Sequence, residues 1–430
     1  MKKRILNYKI NLLGLLFVTL TFATKAQPNQ PFGNFSFDER VQTILLHPVD
    51  EVLSEPVSLL EELENSLQLS FDVLTEAADL YNYTFIHCTH DWKPSNLHKN
   101  EYIDGYEYDR IDSYTFSRNT LTAYVHYDLV FPTSNMMPRL SGNYLLVVFG
   151  DDDSPENILF TRRFMILDSK AGITANVPRY PKELKYADTK QQVDVTINYS
   201  SVYMLNPQQT FNVVIRQNGR WDNAAIGLKA TYVRTNELLF ENNPMTLFDA
   251  GNQFRNFDIS DFRYQSDKVK RATKDVNYWL VELWPNKKRA NLPFVNEPGL
   301  NGNKSIRMQS DYDPAYEGDY AWVEFFLEWD TPLLGDDVYI IGALNDWNID
   351  ERNRMSYSST RRGYEGMLFL KQGYYNFNYA VVPRGTTKVD VGFVEGDFWD
   401  TENIYSIYVY FQEPGTSYEQ LIGMSSIGAH

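Results

Sequence analysis

The sequence predicts an all-β protein of three tandem β-sandwiches behind a cleaved export signal. Strand-like runs recur with turn formers about every 8 to 12 residues, the spacing of sandwich folds. The net charge changes sign twice along the chain, each time beside a cluster of turn formers. No segment carries a long amphipathic helix; residues 59–69 come nearest, and their apolar positions suit a strand as well.

The elements follow in chain order. Lys2, Lys3, Arg4 and Lys9 make a positive start, residues 10–23 an apolar run, and Thr24, Lys25 and Ala26 a small-residue processing site. This is the pattern of a secretory signal, and the apolar run is short of the ~18 residues a membrane span needs. Cleavage is expected after Ala26, leaving Gln27 first. No cysteine lies at this junction, so bacterial lipidation is not expected, and no later apolar run is long enough to span a membrane as a helix. Residues 1–26 hold five bases and no acid, so their removal takes the net charge from −16 to −21. A chain this acidic is a poor ligand for nucleic acid or anionic lipid, whose phosphates repel it. Cys88 is the one cysteine, which excludes an internal disulfide framework and a cysteine-based zinc site. An exported chain with so little cysteine suits a Gram-negative periplasm.

Residues 27–168 hold 8 bases and 23 acids, residues 169–309 hold 20 and 13, and residues 310–430 hold 7 and 20. Turn formers punctuate these shifts at 168–172 and 296–303. The expected domains are therefore 27–168 (acidic), 169–305 (basic) and 306–430 (acidic). The asymmetry fits solvation and pairing of a basic middle with acidic neighbours, or two faces aimed at different partners. Expected strands are 144–149, ending in an acidic hairpin loop at 150–153, then 193–199, 211–217 before the Asn218-Gly219 turn, and 278–284. In the last segment they are 322–327, 338–341, a hairpin of 367–370 and 374–382, and 404–411.

The chain holds no G-x-S-x-G elbow, H-E-x-x-H, phosphate-binding loop or dinucleotide fingerprint, so no catalytic residue, cofactor or enzyme activity is expected. The densest set of ligand-type side chains is His87, Cys88, His90 and Asp91. In a strand, His87 and Cys88 face opposite ways, while Cys88 and His90 share a face that Asp91 joins from a turn. A buried cysteine beside a loop is the plainer reading, and no metal is expected. Carboxylate pairs such as Glu61-Glu62 and Asp336-Asp337 read as solvated faces. Most of the 64 aromatics belong to strand-face cores, with an exposed subset available to bind sugar or protein.

Several strings match a known family in order. They include 86–88 with Asp91-Trp92, 94–97, 101–105, 141–144, Phe160-Thr161-Arg162-Arg163-Phe164, 217–223, 251–255, 342–347, 371–376, Glu395-Gly396 and 401–403. Spanning residues 35–425, this set resembles the plug protein family of the bacterial type IX secretion system, from Bacteroidota. His90 departs from the family pattern beside Cys88, which counts further against a metal there. The resemblance implies a periplasmic, non-enzymatic protein on the inner face of the outer membrane. It would dock under a β-barrel translocon and close that barrel's pore when no cargo occupies it. A monomer, peripheral to the membrane and without nucleic acid, is expected. No translocon-contact residue is carried over.

The run 338–347 also resembles the start of a glycogen-binding or early-set sandwich module. That resemblance implies a stacking role for Trp347, a polar sugar contact at Asn403 and a second ring at Trp399. Its alternative function is periplasmic carbohydrate binding by the C-terminal sandwich. Exposure of Trp347 and Trp399 on one face with Asn403 between them favours sugar; a buried Trp347 favours a structural role.

Overall fold

The computed structural model describes residues 32–150, 157–202, 206–309 and 311–430. The export signal expected at 1–26 and the acidic loop at 151–153 lie outside these residues. Among the described residues the regular structure is nearly all strand, with helices of only three or four residues.

The first sandwich pairs a four-stranded sheet with a six-stranded one. The smaller runs Val41–Pro48, Leu67–Val73, Val125–Phe131, Ser113–Phe116. The larger runs Phe35–Ser36, Ile158–Leu167, Gly142–Phe149, Tyr81–Cys88, Asp109–Ile111, with Val57–Leu59 also on Ile158–Leu167. Period-two alternation sends Leu67, Leu69, Phe71 and Val73 inward against Tyr83, Phe85, Tyr144 and Phe164. The run 144–149 is apolar on both faces for a reason. Tyr144, Leu146 and Val148 fill this core, while Leu145, Val147 and Phe149 fill a second one with Val214, Tyr408, Tyr410 and Leu421 of the middle unit.

The middle sandwich has a four-stranded sheet, Gly172–Asn176, Asp194–Asn198, Glu237–Phe240, Tyr232–Arg234. Its other layer is a three-stranded sheet in which Phe211–Gln217 pairs with Ile404–Phe411, which pairs with Gln420–Gly428. The third unit is built on one long strand path: Arg255–Asp258, Gly373–Pro383, Asp336–Ile341, Arg354–Ser358, Gly363–Lys371, Tyr320–Glu328, Trp279–Leu283, Val269–Lys274. Both halves of that path feed one core, with Phe257, Tyr375 and Val338 against Val323, Phe325 and Leu370.

The sheets cross the boundary expected near 305 in both directions. Strands 255–283 join the third unit, and strands 404–428 return to complete the middle one. Turn formers and charge mark where the chain is exposed, whereas a strand's sheet is set by pairing partners far away in sequence.

Candidate functional site

The three units are locked together by buried polar joints. Between first and third, Lys371 Nζ donates to Asp72 Oδ2 at 2.6 Å, Tyr320 OH donates to the same oxygen at 2.6 Å, and His126 Nδ1 lies 2.6 Å from Asp72 Oδ1. Lys371 also caps the Ala315 carbonyl at 2.6 Å and sits 4.2 Å from the Tyr124 ring centroid. Burial pushes the Lys371 ammonium below its ordinary pKa, partly offset by Asp72. His126 goes the other way: burial opposes its charge, but Asp128 and Asp72 prevail and raise it to about 9. Between first and middle, Glu55 meets Arg216 at 2.5 Å and accepts from Ser406 and Tyr408 hydroxyls. Burial pushes Glu55 up, and Arg216 together with the Tyr408 and Ser406 hydroxyls more than reverses it, holding the carboxyl below its usual range. A third joint seats Arg162 on Asp346 at 2.8 Å.

Two clefts open where the units meet. One, of about 590 Å3, has Trp322, Met367 and Phe369 of the third unit facing Gln42 and Ile44 of the first. The other, of about 620 Å3, is lined by Leu45, His47, Arg163, Arg216, Trp347 and Met424. Ile44, Arg162, Lys304 and Asp346 line both, so the clefts meet at the Arg162–Asp346 pair. The Val41–Pro48 strand borders both clefts. The loop at the waist is strained: Asp346 and Trp347 both take left-handed backbone, with φ of 54° and 60°.

The residues weighed for sugar do not form one face. Trp347 is half-buried; its ring packs on Phe254 at 5.8 Å and under the Arg220 guanidinium at 4.9 Å. A Cβ at Gly302 would come within 2.6 Å of it, so a glycine with φ of 86° makes room for the ring. Asn403 is buried in the middle sandwich. Its Nδ2 donates to Gln191 and Ala250, and its Oδ1 accepts from Asn218, which leaves no free contact for a hydroxyl. Trp399 packs instead against the Arg179 guanidinium, 4.3 Å from its ring centroid, and edge-to-face with His430 at 4.4 Å. The cluster weighed for a metal is also dispersed. His87 lies against Tyr144 and Tyr102 in the first core, and Cys88 enters the core on the opposite face. His90 holds Glu419 at 2.9 Å, and Asp91 pairs with Lys93. Among the described residues no group of three ligand-type side chains forms a metal site.

Sequence reasoning missed Lys304 and Arg163 as cleft residues. The available signal was Arg162-Arg163 in the middle of a strand that is otherwise apolar.

Residues 41–168 match the family model described as type 9 secretion system plug protein, first domain. A crystal structure of a hypothetical protein from Parabacteroides merdae is 31% identical, with a TM-score of 0.88 over 92% of this chain and 99% of that one. The chain belongs to the type 9 secretion system plug protein family. Membership gives it a structural role in type 9 secretion, near the outer membrane and with a component of that system as partner. No curated protein matches the chain. Two other solved structures, a biofilm-associated protein's BSP domain and trypsin-activated alpha-2-macroglobulin from Escherichia coli, are 9% identical with TM-scores of 0.16. They cover 92% and 90% of this plug-family chain and 60% and 23% of their own, and carry no argument. Among the described residues no helix is long and apolar enough to cross a membrane.

Proposed function

We propose that the protein binds the periplasmic side of the outer-membrane type IX translocon barrel and closes its pore when cargo is absent. On this reading residues 1–26 are removed on export, and the mature monomer sits on the inner face of the outer membrane. The observation that carries it is the match of residues 41–168 to the first domain of the plug family.

The physical properties fit a stopper. A plug across a wide pore must not hinge, and each joint described above holds charged groups that would lie unpaired if it opened. A plug must also leave when cargo arrives, so its residence time must be limited. Charge on an acidic surface speeds encounter without greatly lengthening residence, because exposed pairs contribute little. Screening acts over about 8 to 10 Å near physiological salt, so docking weakens as salt rises.

The test is binding of the purified protein to purified translocon with and without bound cargo. The expected result is salt-sensitive binding to the empty barrel and none to the loaded one. Failure to bind the empty barrel, or equal binding to both, contradicts the proposal.

A further inference from the structure

The joined clefts carry features that closing the joints does not require. The Val41–Pro48 strand ends its sheet: Leu67–Val73 pairs one side, and among the described residues no strand pairs the other. An unpaired edge offers a row of backbone donors and acceptors. A bulge between Gln42 and Leu45 divides it, with Thr43 at a φ of 49°. Bulges protect edges from indiscriminate pairing, so this edge is guarded yet open onto a groove rather than onto bulk solvent.

The two ends of the groove differ in chemistry. At one end Trp322 and Phe369, with ring centroids 5.0 Å apart, make an apolar floor, and Trp322 and Met367 remain 37% and 46% exposed. At the waist lies Lys304, which lines both clefts. Its ammonium makes no hydrogen bond or ion pair with the described residues. Asp346, which attracts it, is already engaged by Arg162, and Arg162 repels it. Beyond the waist, Arg163 sits 4.4 Å from the Trp92 ring and 5.2 Å from Trp221, and its Nε donates to a backbone carbonyl rather than a carboxylate. In a chain of net charge −16, these are cations with no carboxylate partner among the described residues, held inside a cleft.

We infer that this groove takes an extended peptide of a partner protein, which adds as a strand to the free edge of Val41–Pro48. An apolar side chain of that peptide lies on Trp322 and Phe369, and an Asp or Glu reaches Lys304. Strand addition supplies the main-chain bonds, and the two ends of the groove supply the choice of sequence. The carboxylate satisfies an ammonium that now has no partner. The inference concerns the groove itself and does not require the plug reading.

The test selects a random nonapeptide library on the immobilised 27–430 chain, then synthesises an enriched peptide with blocked ends. Enriched sequences are expected to place Asp or Glu at a fixed distance from an aliphatic or aromatic residue. The synthetic peptide is expected to slow backbone hydrogen exchange at 42–47. Lys304→Gln should weaken it about tenfold, and so should the peptide's own Asp→Asn or Glu→Gln, which tests the same pair without touching the fold. Unchanged exchange at 42–47, or unchanged affinity in both substitutions, overturns the inference. Equal binding by inorganic phosphate alone also overturns it and leaves an anion site. The plug reading is measured separately, on the translocon and in cells.

Discussion

Lys371 of the third unit and Asp72 of the first meet at 2.6 Å with both side chains sealed from solvent. Removing one member of such a pair strands the other in a dry interface, at a cost of about 3–5 kcal/mol. Lys371→Met should fall at the lower end, because His126 and Tyr320 still hold the carboxylate. Asp72→Ala should cost more, since it leaves the buried Lys371 without a carboxylate and His126 with Asp128 alone. Urea unfolding of both variants checks this; a loss below about 1 kcal/mol for either, or the reverse order, contradicts it.

The same joint makes stability depend on pH. His126 titrates at about 9 in the folded protein, above the ~6.5 of an unfolded histidine. Its charge therefore stabilises fully below about pH 6.5, progressively less above that, and no longer beyond pH 9. The unfolding midpoint should fall between pH 6.5 and 9, and His126→Gln should flatten that slope. A midpoint that rises over this range, or a slope unchanged in the variant, contradicts the assignment.

The all-β class and many strands were legible because alternation and β-branched or aromatic runs are local signals. Residues 144–149 read as a strand at once; that the run is apolar on both faces reports a second core, which becomes interpretable only when Tyr408 and Leu421 are seen across it. The return of 404–428 to Phe211–Gln217 was not legible, since no local pattern in either segment encodes a partner about 190 residues away. The charge asymmetry was legible as pairing in principle, and Glu55–Arg216 is one instance of it. Lys304 was not: a lone lysine opening the short strand Lys304–Ile306 looks solvated until the units close around it.

That return strand gives a third prediction. Tyr405, Ile407, Val409 and Phe411 are core residues of the middle sandwich. Deleting 404–430 should abolish exchange protection in Phe211–Gln217 while largely sparing Gly363–Lys371. Loss of protection in Gly363–Lys371 with retention at Phe211–Gln217 would show the strands belong to the third unit instead.

Trp347 should behave as an anchor. Trp347→Ala removes the ring that fills the space over Gly302 and beneath Arg220, and should cost about 2–4 kcal/mol, less than a fully buried tryptophan. Asn403→Ala strands the Asn218 amide and the Ala250 carbonyl, at about 1–3 kcal/mol. Neither change should alter binding on a glycan array. Glycan binding by the parent chain that Trp347→Ala abolishes with the fold intact contradicts this.

The central claim is closure of a pore, and uptake of a large hydrophilic antibiotic measures it most directly. The drug should enter a strain that lacks the protein, be excluded again on complementation, and leave secretion largely intact. Unchanged uptake in the deletion strain, with normal amounts of translocon in the outer membrane, contradicts the account.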